Sequence, residues 1–232
     1  KLGQKKKEGD RQAPEGFYTI RPAQLNPKSK YFLAFDTGFP NAYDRSHGFT
    51  GANLMVHGAC SSSGCYSMTD ESVEEIFAFA REALKGGQEK FTLQALPFRM
   101  TAEKMAFYAN DPNYPFWEMI KEGYDHFELT RTPPKVDFCE KKYVFNRSSA
   151  DGSAFSASAA CPPSEVPASL AVAYSSYQKK YEAAFTTARA KFGDAPAPIV
   201  MGGKSRPLDK KWKPKSVSLP STLAFSAPSG TR

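Results

Sequence analysis

Histidine is scarce in this 232-residue chain, with three in all, and cysteine is limited to four and tryptophan to two. No apolar run approaches the ~18 uninterrupted residues that a membrane-spanning helix needs, so no transmembrane segment is expected. There is no internal repeat. The chain opens at Lys1 with neither an initiator Met nor a positive-then-apolar leader, so any exported precursor segment is expected to lie outside this sequence. What is present suffices for a folded interior: 41% hydrophobic and 13% aromatic residues exclude wholesale disorder, while 24% charged residues keep the surface solvated. The length fits one large domain, or one domain with a tail.

Charge is unevenly placed. Of the net +7, residues 1–7 carry +4 and residues 191–232 carry +6, which leaves the body of the chain at −3. A basic face on the folded domain is therefore not expected. The aromatic-interleaved basic motifs of single-strand binders are also missing, so no nucleic-acid partner is expected. From Gly193 onward, Pro, Lys and short Ser/Ala stretches replace hydrophobic periodicity, and residues 193–232 read as a basic, Pro-rich disordered tail. A polycationic tail of this kind can meet an anionic polymer or membrane surface.

Short apolar runs stopped by turn residues predict strands at Tyr31–Phe35, Leu54–Val56, Phe91–Leu96 and Lys142–Phe145. The spacing of Val73, Ile76, Phe77, Ala80 and Leu84 predicts a helix over Asp70–Lys85, with acidic residues in its first turn and Gly86-Gly87 past its end. Further helices are expected at Met105–Tyr108, Phe116–Phe127 and Val166–Lys191. The last of these starts at Pro167 and carries a stripe of Leu170, Tyr174, Tyr177, Tyr181 and Phe185, read as a packing face. Ser148 to Pro163 reads as a Ser/Ala-rich loop. Strands gathered early and helices late point to an α+β fold, with a domain over 1–147, a loop over 148–164, a C-terminal helix over 165–192 and the tail beyond.

The chemistry is concentrated. His47, His57, Cys60 and Cys65 all fall between positions 47 and 65. His57 follows the strand candidate and precedes Gly58. Cys65 follows Ser61-Ser62-Ser63-Gly64, a small-residue turn whose backbone N–H groups can converge as an oxyanion hole requires. A cysteine attacks as thiolate, and a nearby imidazole or an N–H-rich pocket makes that form accessible below the ordinary thiol pKa of about 8.5. His57 and Cys65 can supply that pair. Three other readings stand beside it. The set H-x9-H-x2-C-x4-C could ligate zinc, although it lacks the tight C-x2-C knuckle of common structural sites. Either residue could be a structural thiol or a hydrogen-bonded core imidazole. Cys60 and Cys65 could also form a disulfide across a short loop.

The string LMVHGACSSSGCYSM (54–68) resembles the active-site signature of the YkuD-type L,D-transpeptidases, in which "HG" follows a strand and "S-x-G-C-x-x-M" carries the nucleophile. Upstream, EGDRQAPEGFYTI (8–20) resembles that family's "T-P-x-G-x-F-x-I" segment. FPNAYDRSHGFTG (39–51), FRMTAEKM (98–105) and FWEMIKEGYDHFE (116–128) resemble its YafK-like branch. The likeness covers roughly residues 8–147 and continues more weakly to 190. It implies a β-sandwich core of the L,D-transpeptidase type with helical additions, and a domain that extends upstream of Lys1.

Carried over residue by residue, the resemblance implies Cys65 as nucleophile, His57 as general base, Gly64 and Cys65 as oxyanion donors, and Arg45, Ser63 and Tyr66 as substrate-binding residues. Two departures bear on recognition of a substrate carboxylate and on the transfer step: Ser63 replaces the usual His of "S-H-G-C", and Ser67 stands where many members have Arg. The short His57–Cys65 interval also trims a loop that often shapes the acceptor site. The implied reaction is a two-step acyl transfer on peptidoglycan stem peptides, needing neither metal nor organic cofactor. Water as second nucleophile gives an amidase or hydrolase of meso-diaminopimelate-linked bonds, and an amine gives a transpeptidase. Peptidoglycan is the implied partner, with a wall-linked lipoprotein as a further one, and the bacterial periplasm or envelope is the implied location. In that oxidising place Cys139 and Cys161, which flank the Ser/Ala loop, are candidates to pair. The alternative is a non-catalytic wall-binding module with a structural or zinc site.

Overall fold

The computed structural model describes residues 2–193. Its first strand, β1 (Gly16–Ile20), explains the layering, because alternate side chains of a strand face opposite ways and both faces here are apolar. Phe17 joins one cluster with Tyr43, Met105, Phe116, Trp117, Ile120, Tyr143 and Phe145. Tyr18 joins Phe39, Leu54 and Ala95, and Ile20 joins Phe35 and Val56. Only Thr19 is exposed. The strand is thus a wall between a helical layer and the layer that bears the cysteine and histidine cluster.

On that second side, β1 pairs antiparallel with β6 (Phe91–Ala95), from Gly16↔Ala95 to Ile20↔Phe91. Facing this ribbon is a four-stranded sheet ordered β2 (Leu25–Ser29), β3 (Phe32–Asp36), β4 (Met55–His57) and β5 (Tyr66–Ser67). Leu25, Tyr66, Phe91 and Leu93 pack around the Ile20, Phe35 and Val56 contact, which makes the expected sandwich. β3 and β4 run antiparallel, whereas β4 and β5 run parallel with Val56↔Tyr66 and His57↔Ser67 in register.

The helices are α1 (Ala42–Ser46), α2 (Asp70–Lys85), α3 (Ala102–Phe107), α4 (Tyr114–Thr130) and α5 (Ala168–Phe192). α2 has the expected bounds: Thr69 caps it by accepting from Ser72 N–H, and Val73, Phe77 and Ala80 are its buried residues. α3 begins three residues earlier than expected, because Thr101 caps it through Lys104 N–H. Two hairpin-like pairs complete the fold, β7 (Val136–Cys139) with β8 (Lys142–Phe145) and β9 (Ser148–Ser149) with β10 (Ser164–Glu165).

The α+β class holds, but strands and helices interleave along the chain and are not segregated early and late. Cys139 and Cys161 are joined in a disulfide. It closes the Ser/Ala loop, as do the bonds from Glu140 N–H to the Ala159 carbonyl and from Lys141 N–H to the Ala157 carbonyl. No helix among the described residues is long and apolar enough to cross a membrane. Apart from Gly193, the expected tail lies outside the described residues.

Candidate active site

Strand β4 carries the histidine. Its neighbours Leu54 and Val56 are buried, which anchors the strand, and His57 at its end is only 2% exposed. The following Gly58 is required by space: a Cβ there would lie 2.4 Å from Asp70 Oδ1 and 2.9 Å from the Tyr31 carbonyl. The chain then turns through Ala59 and Cys60, both at positive φ, and returns as β5. Bonds from Met68 N–H to the His57 carbonyl (3.0 Å) and from Cys60 N–H to the Met68 carbonyl (3.1 Å) close the return. Asp70, in the first turn of α2, accepts from Ala59 N–H at 2.8 Å.

His57 Nδ1 lies 2.5 Å from the Gly58 carbonyl oxygen. That oxygen can only accept, so Nδ1 carries a proton, and in the neutral ring Nε2 holds the lone pair. The Tyr31 ring lies against the imidazole, with centroids 4.7 Å apart. Cys65, just before β5, has its sulfur at the start of β4: Met55 N–H donates to Sγ at 3.4 Å, and the thiol donates to the Asn53 carbonyl at 3.6 Å. The N–H groups of Gly64 and Cys65 converge on one acceptor, Ser62 Oγ, at 3.0 and 2.5 Å.

His57 and Cys65 line the same cleft of about 440 Å³, together with Ser61–Gly64, Lys5, Glu8, Gly9, Tyr31 and Asn53. Of the residues expected at the site, the fold brings together His57, Ser63, Gly64 and Cys65. Tyr66 does not line the cleft: burial pushes its hydroxyl pKa up, and that hydroxyl donates to the Pro14 carbonyl. Arg45 lies elsewhere. It donates to the Pro40 carbonyl and lines a separate depression with Asn41, Gly38 and Phe138.

The histidines are separated too. His47 caps the C-terminal end of α1, with Nδ1 3.0 Å from the Tyr43 carbonyl and its ring against Tyr43. Among the described residues, no three His, Cys, Asp or Glu side chains are grouped to hold a metal ion. Cys60 is an exposed free thiol and does not line the cleft.

Sequence reasoning missed Lys5 and Tyr31. Lys5 belongs to a run of lysines that reads as a solvated end, and Tyr31 opens an apolar run that reads only as strand. In the structure Lys5 is 4% exposed, and its ammonium donates to Asp10 Oδ1 at 2.8 Å and to the Lys7 carbonyl at 3.1 Å. Burial works against the Asp10 carboxylate. The bonds it accepts from Lys5 and from the N–H groups of Lys7, Gln12 and Lys6 outweigh that and hold its pKa well below the usual carboxylate range.

The sandwich carries a strand-end histidine and a turn cysteine over one cleft, and part of the chain is similar to proteins of one family. Residues 1–90 match the family model of the L,D-transpeptidase catalytic domain, YkuD. Two curated proteins named "Putative L,D-transpeptidase YafK", from Escherichia coli strain K12 and from Escherichia coli O157:H7, are each 47% identical over 146 residues. The match covers 63% of this chain and 59% of theirs, so the chain spans about three fifths of the length of these relatives. The L,D-transpeptidase resemblance read from the motifs, in its YafK-like branch, is thus borne out. Among solved structures, the helical cell shape determining protein Pgp2 from Campylobacter jejuni aligns over 60% of each chain at 21% identity, with a TM-score of 0.33.

Proposed function

We propose that this protein catalyses cysteine-dependent acyl transfer on peptidoglycan stem peptides. The observation that carries this reading is the imidazole whose Nδ1 is tied to the Gly58 carbonyl and whose Nε2 is free, lining one cleft with the Cys65 thiol. Nε2 takes the thiol proton as sulfur bonds to the amide carbonyl carbon. The carbonyl oxygen, gaining negative charge, displaces Ser62 Oγ as acceptor of the Gly64 and Cys65 N–H groups. Collapse breaks the C–N bond, and the imidazolium returns its proton to the leaving amine. Water or an amine then opens the thioester, giving hydrolysis or transpeptidation. No step calls on a metal or an organic cofactor.

Bonds to meso-diaminopimelate, including links to a wall-bound lipoprotein, are the proposed targets. The proposed place is the bacterial envelope, after export, and the Cys139–Cys161 disulfide supports an oxidising compartment.

Mass spectrometry of digested wall sacculi, before and after incubation with the protein, tests the reading. Wild type should alter the muropeptide profile. Cys65→Ala should lose about a thousandfold or more of that activity with its circular dichroism intact, and His57→Ala should be nearly as damaging, because paired catalytic groups act as a unit. Cys60→Ala and His47→Ala should retain most activity. Sacculi that are bound but chemically unchanged would leave only the non-catalytic wall-binding module.

A further inference from the structure

Among the described residues, Lys5 is the one lysine or arginine lining the cleft, and the fold goes to some length to hold it there. Its stem passes over Gly51, where a Cβ would stand 2.7 Å from Lys5 Cε, so a side chain at that position would require Lys5 to shift. Around it the backbone is knotted on one carboxylate: Asp10 accepts from Lys6 N–H, Lys7 N–H and Gln12 N–H as well as from the ammonium. Bonds from Thr50 N–H to the Lys6 carbonyl and from Glu8 N–H to Thr50 Oγ1 fasten this knot to the segment before β4.

An ammonium has three donors, and Asp10 and the Lys7 carbonyl take two. A buried cation with one donor left, lining the cleft that also holds the thiol, is arranged to donate to an anionic group of a ligand.

We propose that Lys5 is the carboxylate-binding residue of this cleft and sets its preference for ligands that carry a free carboxylate near the reacting carbon. The proposal deepens the acyl-transfer reading and rests on it for the identity of the ligand. Its first test does not, because it reads only the charge felt at the thiol.

Cys65 is alkylated with iodoacetate and with iodoacetamide in separate reactions, each forming a C–S bond and releasing iodide, and peptide mapping gives the rate at each cysteine. Cys60, exposed on the same loop, is the reference within the same molecule. In the wild type the iodoacetate-to-iodoacetamide rate ratio should be about fivefold or more higher at Cys65 than at Cys60, the effect of one partly desolvated ion pair of roughly 1 kcal/mol. Lys5→Gln should bring the two ratios together, Lys5→Arg should retain the difference, and Glu8→Gln, removing the one carboxylate of the lining, should enlarge it. Equal ratios at the two cysteines of the wild-type protein overturn the proposal and require no variant to fold.

A second arm uses turnover of a soluble muropeptide and of the same muropeptide with its terminal carboxylate amidated. Lys5→Gln should raise KM for the first by a similar factor with kcat retained, and leave the second unchanged. If sacculi are untouched while the alkylation difference stands, the acyl-transfer reading fails and the anion site survives. If sacculi are processed while the ratios are equal, Lys5 alone is refuted.

Discussion

Asp44 shows how a single buried group ties stability to pH. It sits in α1, 3% exposed, and accepts from Asn41 N–H at 2.9 Å and from the Tyr18 hydroxyl at 3.2 Å. Burial raises its pKa to about 6, more than those two bonds lower it. The folded state therefore holds this proton more tightly than the unfolded chain does. Stability from Asp44 is fully present below the unfolded pKa near 4 and is lost as pH rises through about 6, to the extent of ~3 kcal/mol. Thermal melts at half-unit intervals should show Asp44→Asn losing most of the fall in stability between pH 4 and pH 6 that the wild type displays. Identical pH profiles would contradict the assignment.

At this same scale the sequence singled out His57 and Cys65, which line one cleft, because rare reactive residues stood close together beside a strand end and a glycine turn. It could not reveal Lys5. Three consecutive lysines carry no mark of which one turns inward, and the cause lies in Asp10 and Gly51, which meet Lys5 only after folding.

Among the elements, α4 and α5 are held by a buried ionic clasp. Lys121 pairs with Asp125 one turn on, and its ammonium lies 3.5 Å from the centroid of the Tyr181 ring. Asp125 also accepts from the Tyr177 hydroxyl at 3.1 Å and from Gln178 Nε2 at 3.3 Å. The tyrosine stripe on α5 is therefore a packing face, as its spacing predicted, but one that packs against a charge pair. Removing one partner strands the other charge in a dry place, so Lys121→Met and Asp125→Leu should each cost about 3–5 kcal/mol in urea unfolding. The double variant should recover most of that loss. Additive losses would mean that the two charges do not act as a pair.

Legibility at the element scale followed local signals. α2 was readable because its cap, acidic first turn and terminal glycines all lie within the helix or next to it. β1 was not, because Phe17, Tyr18 and Ile20 are apolar on both faces and show no alternation. β2 was hidden by Pro27 and by its polar residues, which an edge strand tolerates.

For the molecule as a whole, the Cys139–Cys161 disulfide spans 22 positions and ties the end of β7 to the long loop between β9 and β10. Cross-linking a segment of that length removes unfolded-state freedom equivalent to about 3 kcal/mol. Reduction, or Cys139→Ser with Cys161→Ser, should lower the melting temperature accordingly while leaving Cys65 alkylation rates unchanged. An equal melting temperature with and without reductant would show that the bond contributes nothing. The double role of β1 bears on where this molecule can be cut. Phe17 and Tyr18 are adjacent in sequence and belong to different interiors, so the family-matched stretch of residues 1–90 carries the histidine, the cysteine and the cleft but none of Trp117, Tyr143 or Phe145, against which Phe17 is laid. Excised there, that segment would present a bare aromatic flank to water. The boundary recorded by kinship is not a boundary at which the chain can stand alone.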